Sequence, residues 1–331
     1  MNKTFLEKIF NTSKGKKIFI IGDIMLDRYL FGDVTRISPE APVQVFDIRK
    51  SEYRLGGAAN VGFNVKTLGS VPVLIGVTGE DADGKLLTEE MKKSDLTTEG
   101  IITEKGRPTT SKTRVISDSH HLLRIDSEMK DDISADSQNK ILNYLQKNIK
   151  EIGVLILQDY NKGVLSRNLI QSLSKFAKEN GIKILVDPKF DNFFEFRNVF
   201  LFKPNRKELE DALGKKAKQT EDFDKFAEEL IGKINCENVI LTLGELGMLI
   251  FENTNGAMKK VKIDTKAMKV ADVSGAGDTV ISTIAVCLAG GANVKDAAVI
   301  SNYAAGIVIK EVGIVPVYKD ELIEYILKEQ K

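Results

Sequence analysis

Short, nearly continuous apolar runs rich in β-branched residues recur along the chain. They lie at residues 17–23 (KIFIIGD), 71–79 (VPVLIGVTG), 154–160 (VLILQDY), 183–189 (KILVDPK), 199–205 (VFLFKPN) and 238–244 (NVILTLG). Unbroken apolar character, in place of in-out alternation, marks strands covered on both faces, the condition of a parallel sheet. Between the runs, residues 59–69, 134–149 and 167–181 carry helical periodicity, and the last stops at Gly181 as a helix should. Strand and helix alternating over the whole length predict a doubly wound α/β fold with a mostly parallel sheet.

Two stretches break this rhythm. Residues 33–55 and 107–128 alternate with period two and hold no long helix. They predict a small antiparallel β lid inserted at two places into one domain spanning residues 1–331. No repeat, low-complexity tract or linker divides the chain.

With 331 residues, 42% hydrophobic and 29% charged, the chain has ample material for one large core. A net charge of +1 argues against a nucleic-acid or anionic-membrane partner, so any anion site has to be local. The N-terminal segment is charged throughout, and the apolar run 280–292 contains Ser and Thr and is too short to span a bilayer. A cytoplasmic location is expected. Cys236 and Cys287 lie far apart and read as small core residues. His120 and His121 are adjacent, which points them to opposite faces of a strand and away from a shared metal.

Ligands of open α/β sheets bind beyond the carboxyl ends of the strands. Here that edge carries Asp23, Asp27, Asp159, Lys162, Asp187, Lys189, Asn205, Glu208, Thr242 and Gly244. The densest signal is ADVSGAGDTV at 271–280, a Gly-Ala-Gly turn followed by Asp278 at the mouth of an apolar helix. The first amides of a helix lack intrahelical acceptors and sit at the positive end of its dipole. Small residues let an anion approach them. A transferring phosphoryl group needs such a cradle, and Asp278 beside it is suited to take a proton from an attacking hydroxyl. The competing reading is that Asp278 only caps the helix. GEDADGKL at 79–86 imitates part of a Walker A loop, but its acidic residues and Leu86 mark it as a surface loop. GAGDTV lacks the third glycine of a dinucleotide fingerprint, which disfavours a dehydrogenase.

DVSGAGDTV resembles the C-terminal signature of the ribokinase/PfkB family of carbohydrate kinases. RLGGAANVGFNVKTLG (54–69) resembles that family's glycine-rich N-terminal signature, and PNRKELE its Asn-x-x-Glu motif. The similarity runs from about residue 17 to the end. Within the family the chain is most similar to the kinase domain of bacterial heptose-phosphate kinases, through GDIMLDRYLFGDVTRISPEAPVQV, LQDYNKG, LVDPK and NYAAGIVIKEVG. The resemblance implies a ribokinase-like fold and ATP-dependent phosphorylation of the anomeric hydroxyl of D-glycero-D-manno-heptose 7-phosphate, a step towards lipopolysaccharide precursors. A kinase for fructose phosphate, ribose or a nucleoside stays open, as does a non-catalytic sugar sensor. No His-x-Gly-His motif accompanies the kinase signatures, so a C-terminal nucleotidyltransferase domain is not expected.

Carried over to this chain, the resemblance makes Asp278 the catalytic base and the amides of Gly275, Ala276 and Gly277 the anion hole. Asn205 and Glu208 would organise Mg²⁺ and the ATP phosphates, partly through water. Thr242, Gly244, Gly247 and Asn302 would border the nucleotide. Asp23, Asp27, Gly56, Gly57 and Asn60 would hold sugar hydroxyls. Asp159 is a further candidate for binding the sugar, and the candidate cations for its phosphate are Lys112, Arg114, Lys162 and Lys189, with Arg28 and Arg124 beside them. A monovalent cation is left open, since VGIVPV lacks the expected hydroxyl-bearing residues. A homodimer through the lid strands is the implied assembly.

Overall fold

The computed structural model describes residues 1–118, 120–254, 257–265 and 270–330. Its strands are, in chain order, β1 (Lys17–Gly22), β2 (Ile24–Ile37), β3 (Gln44–Gly57), β4 (Val71–Gly79), β5 (Gly100–Glu104), β6 (Ser111–Ser117), β7 (His120–Ser127), β8 (Val154–Gln158), β9 (Lys183–Asp187), β10 (Leu201–Phe202), β11 (Asn238–Thr242), β12 (Met248–Thr254) and β13 (Ala257–Ile263). The main sheet runs β13-β12-β11-β10-β9-β8-β1-β4-β5. All neighbours from β11 to β5 are parallel, and β12 and β13 close one edge antiparallel.

Each apolar run of the sequence is a strand of this sheet. Residues 199–205 shrink to the two paired residues of β10, although Phe200 and Lys203 still donate to β9 carbonyls at 3.0 and 2.9 Å. Pro204, with no N–H, interrupts the strand, which meets β11 once more in a parallel bridge between Asn205 and Thr242. Alternate side chains serve two cores. Ile18, Ile20, Ile156 and Leu185 pack beneath the helices Ala58–Thr67, Ala276–Ala289 and Val294–Val308. Phe19, Ile21, Leu155 and Val186 pack beneath Ala135–Lys147, Arg167–Glu179 and Asp222–Ile234. Cys236 and Cys287 are free and buried, as small core residues. Among the described residues no helix is long and apolar enough to cross a membrane.

The lid is a second sheet of order β3-β2-β6-β7. Its hairpins β2–β3 and β6–β7 are antiparallel, and the seam between them, β2 against β6, is parallel. It starts earlier than residue 33, because β2 begins at Ile24, directly after β1. Ile24, Met25 and Leu26 are buried and extend the apolar run, which hides the change of sheet in the sequence. The segment 79–86 differs from the surface loop expected of it. A helix, Ala82–Lys93, starts inside it, with the Asp81 side chain accepting from the Gly84 amide at 2.7 Å.

From β1 the chain progresses one way through β4 to β5, then returns through β8 to move the other way to β11. The reversal leaves a crevice beyond the carboxyl ends of β1 and β8. The two strands are drawn close where Gly22 lies opposite Gln158. A Cβ on Gly22 would sit 1.9 Å from the Gln158 carbonyl oxygen. Backbone cannot yield as a flexible side chain does, so Gly22→Ala has to spread the strands that frame the crevice. Overpacking of this kind costs about 1–3 kcal/mol or more. The variant is expected to unfold at a clearly lower temperature in calorimetry, whereas an unchanged midpoint would show that the strands part freely.

Candidate active site

The helix Ala276–Ala289 starts at Gly275, which has φ +77° and makes no side-chain capping bond. Asp278 does not cap it, because its carboxyl oxygens bond the side chains of Asn60, Gln158 and Tyr160 and no amide of the helix. Its carboxyl turns away from the helix and is buried, 2% exposed. Oδ2 accepts from Asn60 Nδ2 at 2.8 Å, while Oδ1 accepts from Gln158 Nε2 at 3.1 Å and from the Tyr160 hydroxyl at 2.7 Å. Burial pushes the carboxyl up to about 6; Asn60, Tyr160 and the Lys203 ammonium oppose the rise, and Asp187 adds to it. A carboxylate held at that value is ionised at neutral pH yet basic enough to accept a proton.

At the mouth of this helix the Ala276 amide is turned back on the Val273 carbonyl at 3.2 Å, so it is not free to join an anion cradle as expected. The first i to i−4 bond is Thr279 N to Gly275 O. The Gly277 and Asp278 amides precede it and belong to the unsatisfied first turn. Two cations reinforce this positive end. Lys203, at the end of β10, is buried and bonds Asp187 at 2.9 Å. Lys189 pairs with Glu208 and lies 5.4 Å over the Tyr160 ring. Burial works against the Lys189 charge, but the Asp187 and Glu208 carboxylates hold its ammonium above the ordinary value.

Asn205 and Glu208 form a capping box on the helix Arg206–Leu213: the Asn205 side chain accepts from the Glu208 amide, and Glu208 Oε2 from the Asn205 amide, both at 2.8 Å. Their spacing thus has a structural role of its own. They also border a cavity of about 600 Å³ lined by Thr242, Gly244, Gly247 and Asn302, with Met248, Val280, Ala305 and Ile309 as an apolar wall. The predicted nucleotide residues are all brought together here, and the same cavity reaches Gly275, Gly277 and Lys203.

On the lid side the predicted residues divide. Asp27 is buried and paired with Arg114, and its Oδ2 has no hydrogen-bond partner. Gly56, opposite Met25 and diagonal to Asp27 in the hairpin, leaves that oxygen its room: a Cβ there would lie 2.2 Å from Oδ2. Gly57 has φ +56° and leads into the helix that carries Asn60. Asp23, by contrast, is committed to the protein. Its two oxygens accept from the amides of Tyr160, Lys162 and Val164 at 2.7, 3.1 and 3.2 Å, tying down the loop after β8. Asp159 is buried in that loop with Oδ2 unpartnered, and burial followed by the nearby Asp23 charge pushes it up to about 7. Lys112 and Lys162 converge on Glu128, at 3.3 and 2.8 Å, and Lys112 also reaches Asp126 at 3.2 Å. Asp27 and Lys112 are register partners on β2 and β6, which puts the lysine on the same lid face as the free carboxylate oxygen.

Sequence reasoning missed Gln158, Tyr160 and Lys203, and it named Arg114 as a candidate cation for the sugar phosphate, whereas the structure pairs Arg114 with Asp27. Gln158, Tyr160 and Lys203 are polar residues at strand ends, the one signal that could have flagged them. Among the described residues no cluster of three metal-ligating side chains is present.

A family model described as pfkB family carbohydrate kinase matches residues 15–319. Two curated relatives, both named "Bifunctional protein HldE", are each 40% identical. The one from Desulfatibacillum aliphaticivorans aligns over 92% of this chain and 62% of its own length. The one from a Nitratiruptor species aligns over 93% and 64%. The chain thus spans less than two thirds of the length of those relatives. Among solved structures, phosphofructokinase-2 from Escherichia coli in complex with potassium superposes with a TM-score of 0.77 at 18% identity, over 96% of this chain and 100% of that one. Arabidopsis thaliana ribokinase complexed with ribose and ATP superposes at 0.74 and 18%, over 95% and 99%. The fold is therefore ribokinase-like, and the chain belongs to the pfkB family of carbohydrate kinases.

Proposed function

We propose that this pfkB-family carbohydrate kinase transfers the γ-phosphoryl group of ATP to the anomeric hydroxyl of D-glycero-D-manno-heptose 7-phosphate, giving the 1,7-bisphosphate. The observation that carries the reading is the buried Asp278 carboxylate, bonded on one side to Tyr160, which lines the cavity bordered by Thr242, Gly247 and Asn302, and on the other to Asn60 in the helix after β3. The choice of sugar is supported by the segments resembling heptose-phosphate kinases and by the 40% identity to the HldE relatives. Lys112 on the lid and Lys162 in the loop after β8, both paired with Glu128, add a suitable place for a phosphate.

In this mechanism the sugar hydroxyl attacks the γ-phosphorus. Its proton passes to Asp278 as the new P–O bond forms, and the bond to the ADP leaving oxygen breaks with its electron pair going to ADP. The amides of Gly277 and Asp278, with Lys203 and Lys189, stabilise the charge on the transferred group. Asp27 accepts a sugar hydroxyl through its free Oδ2, and the lid excludes water that would compete as acceptor. The donor set around Glu208 fits a Mg²⁺ carried by the ATP phosphates and reached through water; it does not fit a cage built by the protein, because Oε2 is bound to the Asn205 amide. Such an ion, when bound, neutralises phosphate charge.

Lys112 and Lys162 are the residues that take the sugar's own phosphate, with Glu128 as the carboxylate it displaces. The assembly is a homodimer through the lid. Its exposed apolar side chains (Ile48, Leu123 and Ile125 among them) and the open edge of β7 favour a partner there.

Turnover is expected on heptose 7-phosphate in a panel that also holds fructose 6-phosphate, fructose 1-phosphate, ribose and adenosine. Asp278→Asn should lower it by about 10²–10⁴-fold. Because the carboxylate has to be ionised to act, wild-type kcat/KM should fall about tenfold per unit below a pH near 6 and level off above it. An active Asp278→Asn enzyme would refute the base, and turnover confined to another sugar would refute the substrate. Lys112→Gln and Lys162→Gln should each raise KM for the sugar phosphate about 10–100-fold, the loss of one charge-assisted contact, while KM for ATP holds. Equal KM values would place the phosphate elsewhere. Light scattering should report twice the chain mass, falling to the single-chain mass in Leu123→Lys/Ile125→Lys; a monomeric wild type would remove the dimer.

A further inference from the structure

The Asp278 carboxylate is held asymmetrically. Oδ1 accepts two hydrogen bonds, from Gln158 Nε2 and the Tyr160 hydroxyl, whereas Oδ2 accepts one, from Asn60 Nδ2. A carboxylate oxygen has two in-plane lone-pair directions. Oδ1 is therefore filled by the protein, and Oδ2 keeps one position open. We propose that Gln158 and Tyr160 are positioning residues that select Oδ2, on the Asn60 side, as the oxygen receiving the acceptor hydroxyl's proton, and that the Tyr160 hydroxyl stays on Oδ1 while sugar is bound. The inference rests on the reading of Asp278 as the base.

Tyr160 is fixed well enough for this task. Its amide is bound to Asp23 Oδ2 at 2.7 Å, and its ring lies against the Lys189 ammonium. Burial, followed by the negative charges of Asp278, Asp187 and Asp27, keeps its hydroxyl well above the usual phenol range, so it is a permanent donor. Gln158 is braced by its second bond, to Asp187 Oδ2 at 3.1 Å, and by the tight Gly22 contact on its carbonyl. With both donors on one oxygen the carboxylate cannot rotate without breaking two bonds. The charged groups bearing on it are Asp187, which favours protonation, and Lys203 and Lys189, which oppose it; Asn60, Gln158 and Tyr160 are neutral.

Tyr160→Phe keeps the ring and removes the hydroxyl. Losing a hydrogen bond to an ionised group should move the acid limb of the pH profile upward by about one to two units, so that activity lost near pH 6 recovers as pH rises. The shift is expected in kcat/KM and in kcat alike, with KM for ATP unchanged. Gln158→Met, which strips the other Oδ1 donor at similar volume, should move the limb in the same direction and serves if the first variant does not fold. A limb that stays in place while activity drops evenly at all pH values would overturn the proposal, since a merely structural residue behaves that way. So would a limb that moves in kcat/KM but not in kcat, because the hydroxyl would then leave Oδ1 when sugar binds. Failure of the base reading is separate: it would show as an active Asp278→Asn enzyme, whatever Tyr160→Phe does.

Discussion

A carboxylate taken out of water with no cation in contact is expensive, and the site is organised around offsetting that cost for Asp278. Its three donors are neutral and come from the helix after the lid, the end of β8 and the loop that follows it. They lie 218, 120 and 118 residues away in the chain. No local segment can hold this carboxylate. The sheet order that places β1 beside β8, and the close approach at Gly22, are what bring Gln158 and Tyr160 to it.

The neighbouring acids are treated differently. Asp187 has Lys203, Glu208 has Lys189 and Asp27 has Arg114. Each of these three has a cationic partner in contact, whereas Asp278 has only neutral donors, which leave it with a basicity suited to proton transfer near neutral pH. Asp23 shows the third arrangement. Saturated by three backbone amides, it has become part of the scaffold, and what it holds is the loop that delivers Tyr160. The lid joins the same logic through Asp27, whose one free oxygen faces an interior that Arg114 keeps electrically balanced.

Much of the architecture is legible in the chain. Strands covered on both faces have no polar side to interrupt them, which is why β1, β4, β8, β9, β10 and β11 stand out as apolar runs. The hairpin β12–β13 does not: its outer strand, AMKKVKI, is half exposed and alternates, so it resembles any surface segment. The start of the lid is hidden for the opposite reason, since the first residues of β2 are as apolar and buried as β1. At the site, the Gly-Ala-Gly turn and Asp278 are local features and can be read from ten residues. The roles of Gln158, Tyr160 and Lys203 are set by juxtaposition across the sheet edge, and nothing in LQDYNKG says which distant group its tyrosine will meet. Asp23 and the Ala276 amide mark the same limit from the other side. Both occupy the expected positions, but backbone partners that no sequence pattern specifies have already claimed them.

The central claim is that burial and three neutral donors hold Asp278 near the pH at which it has to work. Carbon-13 NMR titration of the aspartate carboxyls in the free enzyme, with the Asp278 signal identified as the one absent from Asp278→Asn, measures this without reference to any substrate. The account predicts a midpoint near 6 for that signal. A midpoint at the ordinary aspartate value of about 3.9 would contradict it, because the carboxylate would then be solvated or paired with a cation.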